Sequence, residues 1–128
     1  MSDSTSPTSP PTVPVPRFLF SSKPLTYHAR PEAIESIFYL HRLTGNPIWR
    51  SHGWDMFLAV EHLSRTEVAY SSVLDVTAPK TPFHQGVMES FWTAETLKYF
   101  WLLFESEDVL DLGEWVFNTE AHAFRLPK

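Results

Sequence analysis

Three groups of residues in this chain have side chains suited to acid–base or metal chemistry. The first is Arg30-Pro31-Glu32 with Glu35. Pro31 suits a first helical turn, because its missing N–H would be unpaired there anyway. On such a turn Glu32 and Glu35, three residues apart, share a face. Two readings stand. The acids complement the positive end of the helix dipole, or they form a carboxylate pair in which Arg30 keeps one member ionised as a general base. Spacing alone does not choose between them.

Phe91 and Glu95 form the second group, on one face of a helix with Glu89 turned away. Phe91 belongs to packing by default. Glu95 stands in the middle of an apolar helix, where a carboxylate needs a partner or a wet cavity because burying it alone is costly. Lys98, three residues on, is the ordinary structural partner. The third group is Asn118-Thr119-Glu120-Ala121-His122. Thr119 offers a carbonyl and a hydroxyl, the hard oxygen donors that a cation such as calcium takes, although one tripeptide is little to go on. His52, His62, His84 and His122 lack zinc spacing, and no Ser-His-Asp, P-loop or dinucleotide signature is present.

The elements that position these groups can be read from periodicity. Ile34, Ile37, Phe38 and Leu40 recur at helical spacing until Gly45 stops them. Asn46-Pro47 reads as N-cap and first residue of a second helix running to about Ser64. Its expected apolar stripe is Ile48, His52, Met56, Ala59 and Leu63, widened by Trp49, Trp54 and Val60. The short turn between the two helices makes them antiparallel. Glu67 to Val76 is expected as short strands or an extended connection, and Pro79 and Pro82 enforce a loop. A third helix is expected from near Gln85 to near Phe104. Its apolar residues cover nearly every face, the pattern of a helix buried on all sides. Three helices cannot enclose it, so it expects further neighbours. Asp108 to Trp115 holds a short turn, and Trp115-Val116-Phe117 leads in extended form into Asn118.

The chain has 128 residues, enough for one small domain. Six of its eleven prolines precede Pro31, mixed with Ser and Thr, so residues 1–24 lack the apolar area to order themselves. Phe18-Leu19-Phe20 is the exception, able to dock on the body formed by residues 25–128. The formal charge is −5 without a basic cluster, which argues against nucleic acid. No run of apolar residues is long enough for a transmembrane helix, and the N-terminus shows no signal-peptide pattern. Cysteine is absent, which excludes disulfides and thiolate metal sites without fixing a compartment.

Taken together, the three groups resemble class I α-1,2-mannosidases, glycoside hydrolase family 47. Arg30-Pro31-Glu32-Ala33-Ile34-Glu35-Ser36 is similar to the family's Leu-Arg-Pro-Glu-x-x-Glu-Ser signature, with Ala29 in place of Leu. Ser90-Phe91-Trp92-Thr93-Ala94-Glu95-Thr96-Leu97-Lys98-Tyr99 resembles its Ser-Phe-x-x-x-Glu-Thr-Leu-Lys-Tyr helix. Phe117-Asn118-Thr119-Glu120-Ala121-His122 resembles its Phe-Asn-Thr-Glu-Ala-His end, with Ala123 where Pro is common. Leu43-Thr44-Gly45-Asn46-Pro47 and Trp54 fit the intervening helices.

The resemblance implies an all-α fold, the C-terminal portion of an (α/α)7 barrel, with short strands near 67–76 and 115–120. It implies an inverting, Ca2+-dependent hydrolase acting on terminal α-1,2-mannose of high-mannose N-glycans in the secretory pathway. By motif position Glu32 is the expected base, with Arg30 and Glu35 arranging groups around the sugar. Phe91 is expected against the mannose ring, Glu95 on sugar hydroxyls or calcium-bound water, Thr119 on calcium, and Glu120 close by. The family's general acid lies upstream of the Arg-Pro-Glu motif. The expectation is therefore a fragment, inactive alone, whose partner is the N-terminal part of the barrel. The alternatives are a calcium-dependent mannose-binding module and a helical interaction module without a site.

Overall fold

A computed structural model describes residues 25–77 and 82–128. The expected disorder of residues 1–24, the docking of Phe18-Leu19-Phe20 and the turn at Pro79 lie outside the described residues. Helix α1 spans Glu32–Thr44 and α2 spans Ile48–Ser64. A five-residue π-helical turn, Trp92–Thr96, runs directly into α3, Leu97–Phe104. Strands β1 (Trp115–Phe117) and β2 (Ala123–Arg125) close the chain as an antiparallel hairpin.

The ends of α1 and α2 follow from local chemistry. Gly45 takes φ 63°, a left-handed conformation open to a residue without Cβ, and its N–H closes α1 on the His41 carbonyl at 2.8 Å. Asn46 Oδ1 accepts the Ile48 N–H at 3.0 Å, with Pro47 in helical geometry between them, the arrangement of an N-cap followed by proline.

The buried stripe of α2 differs from the expected one. Ile48 is 48% exposed and His52 is also on the surface, whereas Gly53, Val60 and Ser64 are buried. Gly53 is the reason. An added Cβ there would lie 2.2 Å from Leu103 Cδ2, so the helices meet where α2 has no side chain. Apolar counting passes over a glycine, and so misplaces the face.

Two other expectations change. Residues 67–76 form no continuous strand; single bridges join Arg65 to Tyr70, Tyr27 to Val73 and Val73 to His84. The third helix begins at Ser90 and not near Gln85. Gln85 donates to the Ser72 carbonyl and Ser72 donates to the Val87 carbonyl, each at 2.9 Å. Backbone groups engaged in that way are unavailable to a helix.

The core joins α1, α3 and the hairpin through Ile34, Phe38, Tyr99, Phe100, Leu102, Leu103 and Ala121. Phe38 meets Tyr99 and Phe117 with ring centroids 5.5 and 5.9 Å away. Two arginines satisfy carbonyls at the end of α3 that have no helical partner. Arg50 donates to Leu103 and Glu105, both at 2.9 Å, and Arg42 to Leu102 and Val109 at 3.1 and 3.2 Å. One flank of α3 remains open. Trp101 (52% exposed), Phe104 and Trp54 border an apolar groove of about 310 Å3 floored by Phe57, Leu97 and Phe100.

Candidate active site

Three chain segments meet on one face of the molecule: the loop Ala29–Glu32, the π turn, and the turn Asn118–His122. The last is built by Asn118, whose side-chain oxygen accepts the N–H groups of Glu120 at 3.0 Å and His122 at 2.9 Å. Ala121 is buried there with φ 58°. Thr119 and Glu120 are left exposed at the tip. Neither oxygen of Thr119 is engaged in a hydrogen bond among the described residues.

Glu95 lies half-buried between the other two segments. Burial raises its pKa, and the negative charges of Glu120, Glu32 and Glu35 raise it further, in that order, while His122 opposes them. Carboxylates from three separated stretches therefore act on one another. The structure brings together Glu32, Glu35, Glu95 and Glu120. Lys98 is not the partner of Glu95: its ammonium donates to the Ala121 carbonyl and lies 5.6 Å from the Phe117 ring centroid. Glu95 enters no ion pair among the described residues.

Arg30 also differs from its simplest reading. Its guanidinium stands 5.8 Å from the centroid of Phe91, a cation–π contact, and it enters no ion pair among the described residues. Phe91 is only partly buried, so it is not a core residue. Glu35 instead accepts the Tyr99 hydroxyl at 3.2 Å. Burial, reinforced by the Glu35 charge, holds the Tyr99 and Tyr39 hydroxyls above the usual tyrosine value, so both remain protonated. Glu32 and Thr119 face solvent.

Sequence reasoning missed several positioning contacts. Thr96 Oγ1 donates to the Ala29 carbonyl at 2.6 Å, and Ala29 is itself buried at φ 58°. Nothing in the spacing of Thr96 marks this contact. The turn built by Asn118 was likewise not read from the sequence, although Asn at the head of a turn is a known signal for one. No three of the described His, Asp or Glu residues converge as a ready metal cage. Any cation held at this face would rely on the Thr119 oxygens and on water held by the carboxylates. A hard cation such as calcium suits that donor set.

Paired carboxyl groups are what most glycoside hydrolases use, and this face gathers four carboxylates. The chain belongs to Glycosyl hydrolase family 47, whose sequence profile matches residues 14–126. It is 52% identical over 96 residues to human mannosyl-oligosaccharide 1,2-alpha-mannosidase IC, covering 75% of this chain and 15% of that protein. It is 44% identical over 115 residues to the mannosyl-oligosaccharide 1,2-alpha-mannosidase of Candida albicans, covering 82% of this chain and 20% of that protein. The α-1,2-mannosidase from Trichoderma reesei superposes on it with a TM-score of 0.76 at 40% identity, over 81% of this chain and 22% of that one. The chain thus spans between 15% and 22% of the length of these relatives.

Proposed function

We propose that this chain supplies one part of the active site of an α-1,2-mannosidase that removes terminal α-1,2-linked mannose from high-mannose N-glycans with inversion. The observation that carries the reading is the grouping of Glu32, Glu35, Glu95 and Glu120 on one face of a chain that belongs to the family. Glu32, exposed and unpaired with Arg30, is placed to take the proton of a water attacking the anomeric carbon. The leaving oxygen must receive a proton from a second carboxyl group across the sugar. In this reading that acid comes from the N-terminal part of an (α/α)7 barrel, which packs against α2 and α3.

Phe91, fixed by Arg30, offers a ring face to the sugar. Glu35, steadied by Tyr99, orients groups around Glu32. Glu95, whose pKa is raised by burial and then by the neighbouring carboxylates, binds sugar hydroxyls or metal-bound water, with Glu120 beside it. Thr119 would hold Ca2+ through its carbonyl and hydroxyl. Calcium bound there supplies a template for mannose hydroxyls and electrostatic stabilisation. Such a glycosidase acts in the secretory pathway, where its substrates are processed. No helix among the described residues is long and apolar enough to cross a membrane.

The reading makes two measurable claims. Calcium should change the Trp fluorescence of the 128-residue chain, and Thr119→Ala should abolish the change. The chain alone should release no mannose from an α-1,2-mannobiose substrate, since leaving-group protonation is worth about 10²–10⁴ in rate. Robust, calcium-dependent turnover by the chain alone would refute it. A second reading, a non-catalytic calcium-dependent mannose binder, is favoured by the exposure of Thr119 and Arg30. Mannose binding that requires calcium, with no turnover after the complementary part of a family barrel is supplied, would establish that reading instead.

A further inference from the structure

We infer that Thr96 and Lys98 are paired positioning residues that fasten the two loops of the candidate site to a single helix, one on each side of Glu95. This rests on the site reading above. Thr96, the last residue of the π turn, and Lys98, in the first turn of α3, reach different segments on either side of Glu95. Thr96 Oγ1 donates to the Ala29 carbonyl, across 67 residues of chain, at 2.6 Å. Lys98 donates to the Ala121 carbonyl. The loop carrying Arg30 and Glu32 is thereby held on one flank, and the turn carrying Thr119 and Glu120 on the other.

The two acceptors are alike. Ala29 and Ala121 both sit at φ 58°, a left-handed conformation that residues with a Cβ seldom adopt, and both are nearly inaccessible, at 5% and 1% exposure. Relaxing either to negative φ would redirect the peptide group that its donor fixes. Thr96 is 1% exposed, so its hydroxyl has no solvent alternative. The Lys98 ammonium leaves Glu95 unpaired and serves a carbonyl, and a charged donor makes a stronger bond to it than a neutral one. The π turn delivers both donors together, because it ends at Thr96 and hands over to α3 before Lys98.

The pairing predicts local effects. In the metal-free 128-residue chain, Lys98→Met should accelerate hydrogen exchange at the Asn118 and Ala121 amides by about tenfold or more, as expected for loss of a charged hydrogen bond. The Tyr27 and Val73 amides, bonded to each other across the other loop, should be unaffected. Thr96→Val should show the opposite pattern. Calcium titration by calorimetry should find binding about tenfold weaker in Lys98→Met, restored by Lys98→Arg, and changed less than about twofold in Thr96→Val. Thr96→Ser should behave as the unsubstituted chain. Equal effects of both variants at both loops, or none at either, would overturn the inference. Should the unsubstituted chain bind no calcium, the metal part of the site reading fails, and the exchange pattern alone decides the inference.

Discussion

Glu95 shows how a residue that looks like an error in its helix becomes the centre of a carboxylate cluster. It is half-buried, it has no ion-pair partner among the described residues, and three other carboxylates bear on it. Its pKa is raised in the folded chain, so the folded state holds the proton more tightly than the unfolded state. Stability therefore falls as pH rises from the ordinary Glu value through the raised one, and the cost persists above it. Glu95→Gln removes that cost. Thermal melts should show the variant more stable than the parent at neutral pH by up to a few degrees. The difference should close below the ordinary carboxylate range, and a difference independent of pH would contradict the assignment. Arg30 illustrates the converse: beside two acids in sequence, it is directed to the Phe91 ring.

At the level of elements, the close approach of α2 to α3 depends on Gly53. Leu103 is fully buried, so a new Cβ 2.2 Å from its Cδ2 forces it to repack among its neighbours. Gly53→Ala should cost about 1–3 kcal/mol in denaturant unfolding, the usual penalty for overpacking. Leu103→Ala alone should cost about 2–5 kcal/mol. The double variant should lose clearly less than the sum, because each change makes room for the other. Additive losses would mean that the two residues do not share that space. The two arginines at the end of α3 act in the same region, and through Arg42 they link α1 to the chain beyond Ser106.

For the whole molecule, the unfilled surface is as informative as the core. Trp54, Trp101 and Phe104 border an apolar groove on a chain that matches no more than 22% of the length of the relatives compared. Co-expression with the complementary N-terminal part of a family barrel should give calcium-dependent release of mannose, and Trp101→Glu should abolish that recovery while leaving the isolated chain's circular dichroism intact. Activity that survives Trp101→Glu would place the partner elsewhere.

Local chemistry written into adjacent residues was legible without a structure. The helices α1 and α2, the Gly45 stop, the Asn46 cap, the extended Trp115-Val116-Phe117 and the three motifs all depend on neighbours within a few positions. The candidates from Arg30 to Glu120 were singled out from those motifs, as the resemblance implies, and not from any contact between them. Tertiary structure decided what those residues do to one another. It alone shows Glu120 and Glu32 bearing on Glu95, Lys98 serving Ala121 and not Glu95, and Thr96 reaching Ala29. It alone delays the third helix to Ser90, because Gln85 and Val87 pair with Ser72. Periodicity records which side chains avoid water along one element. It carries no record of which distant carbonyl, ring or carboxylate the folded chain sets against them.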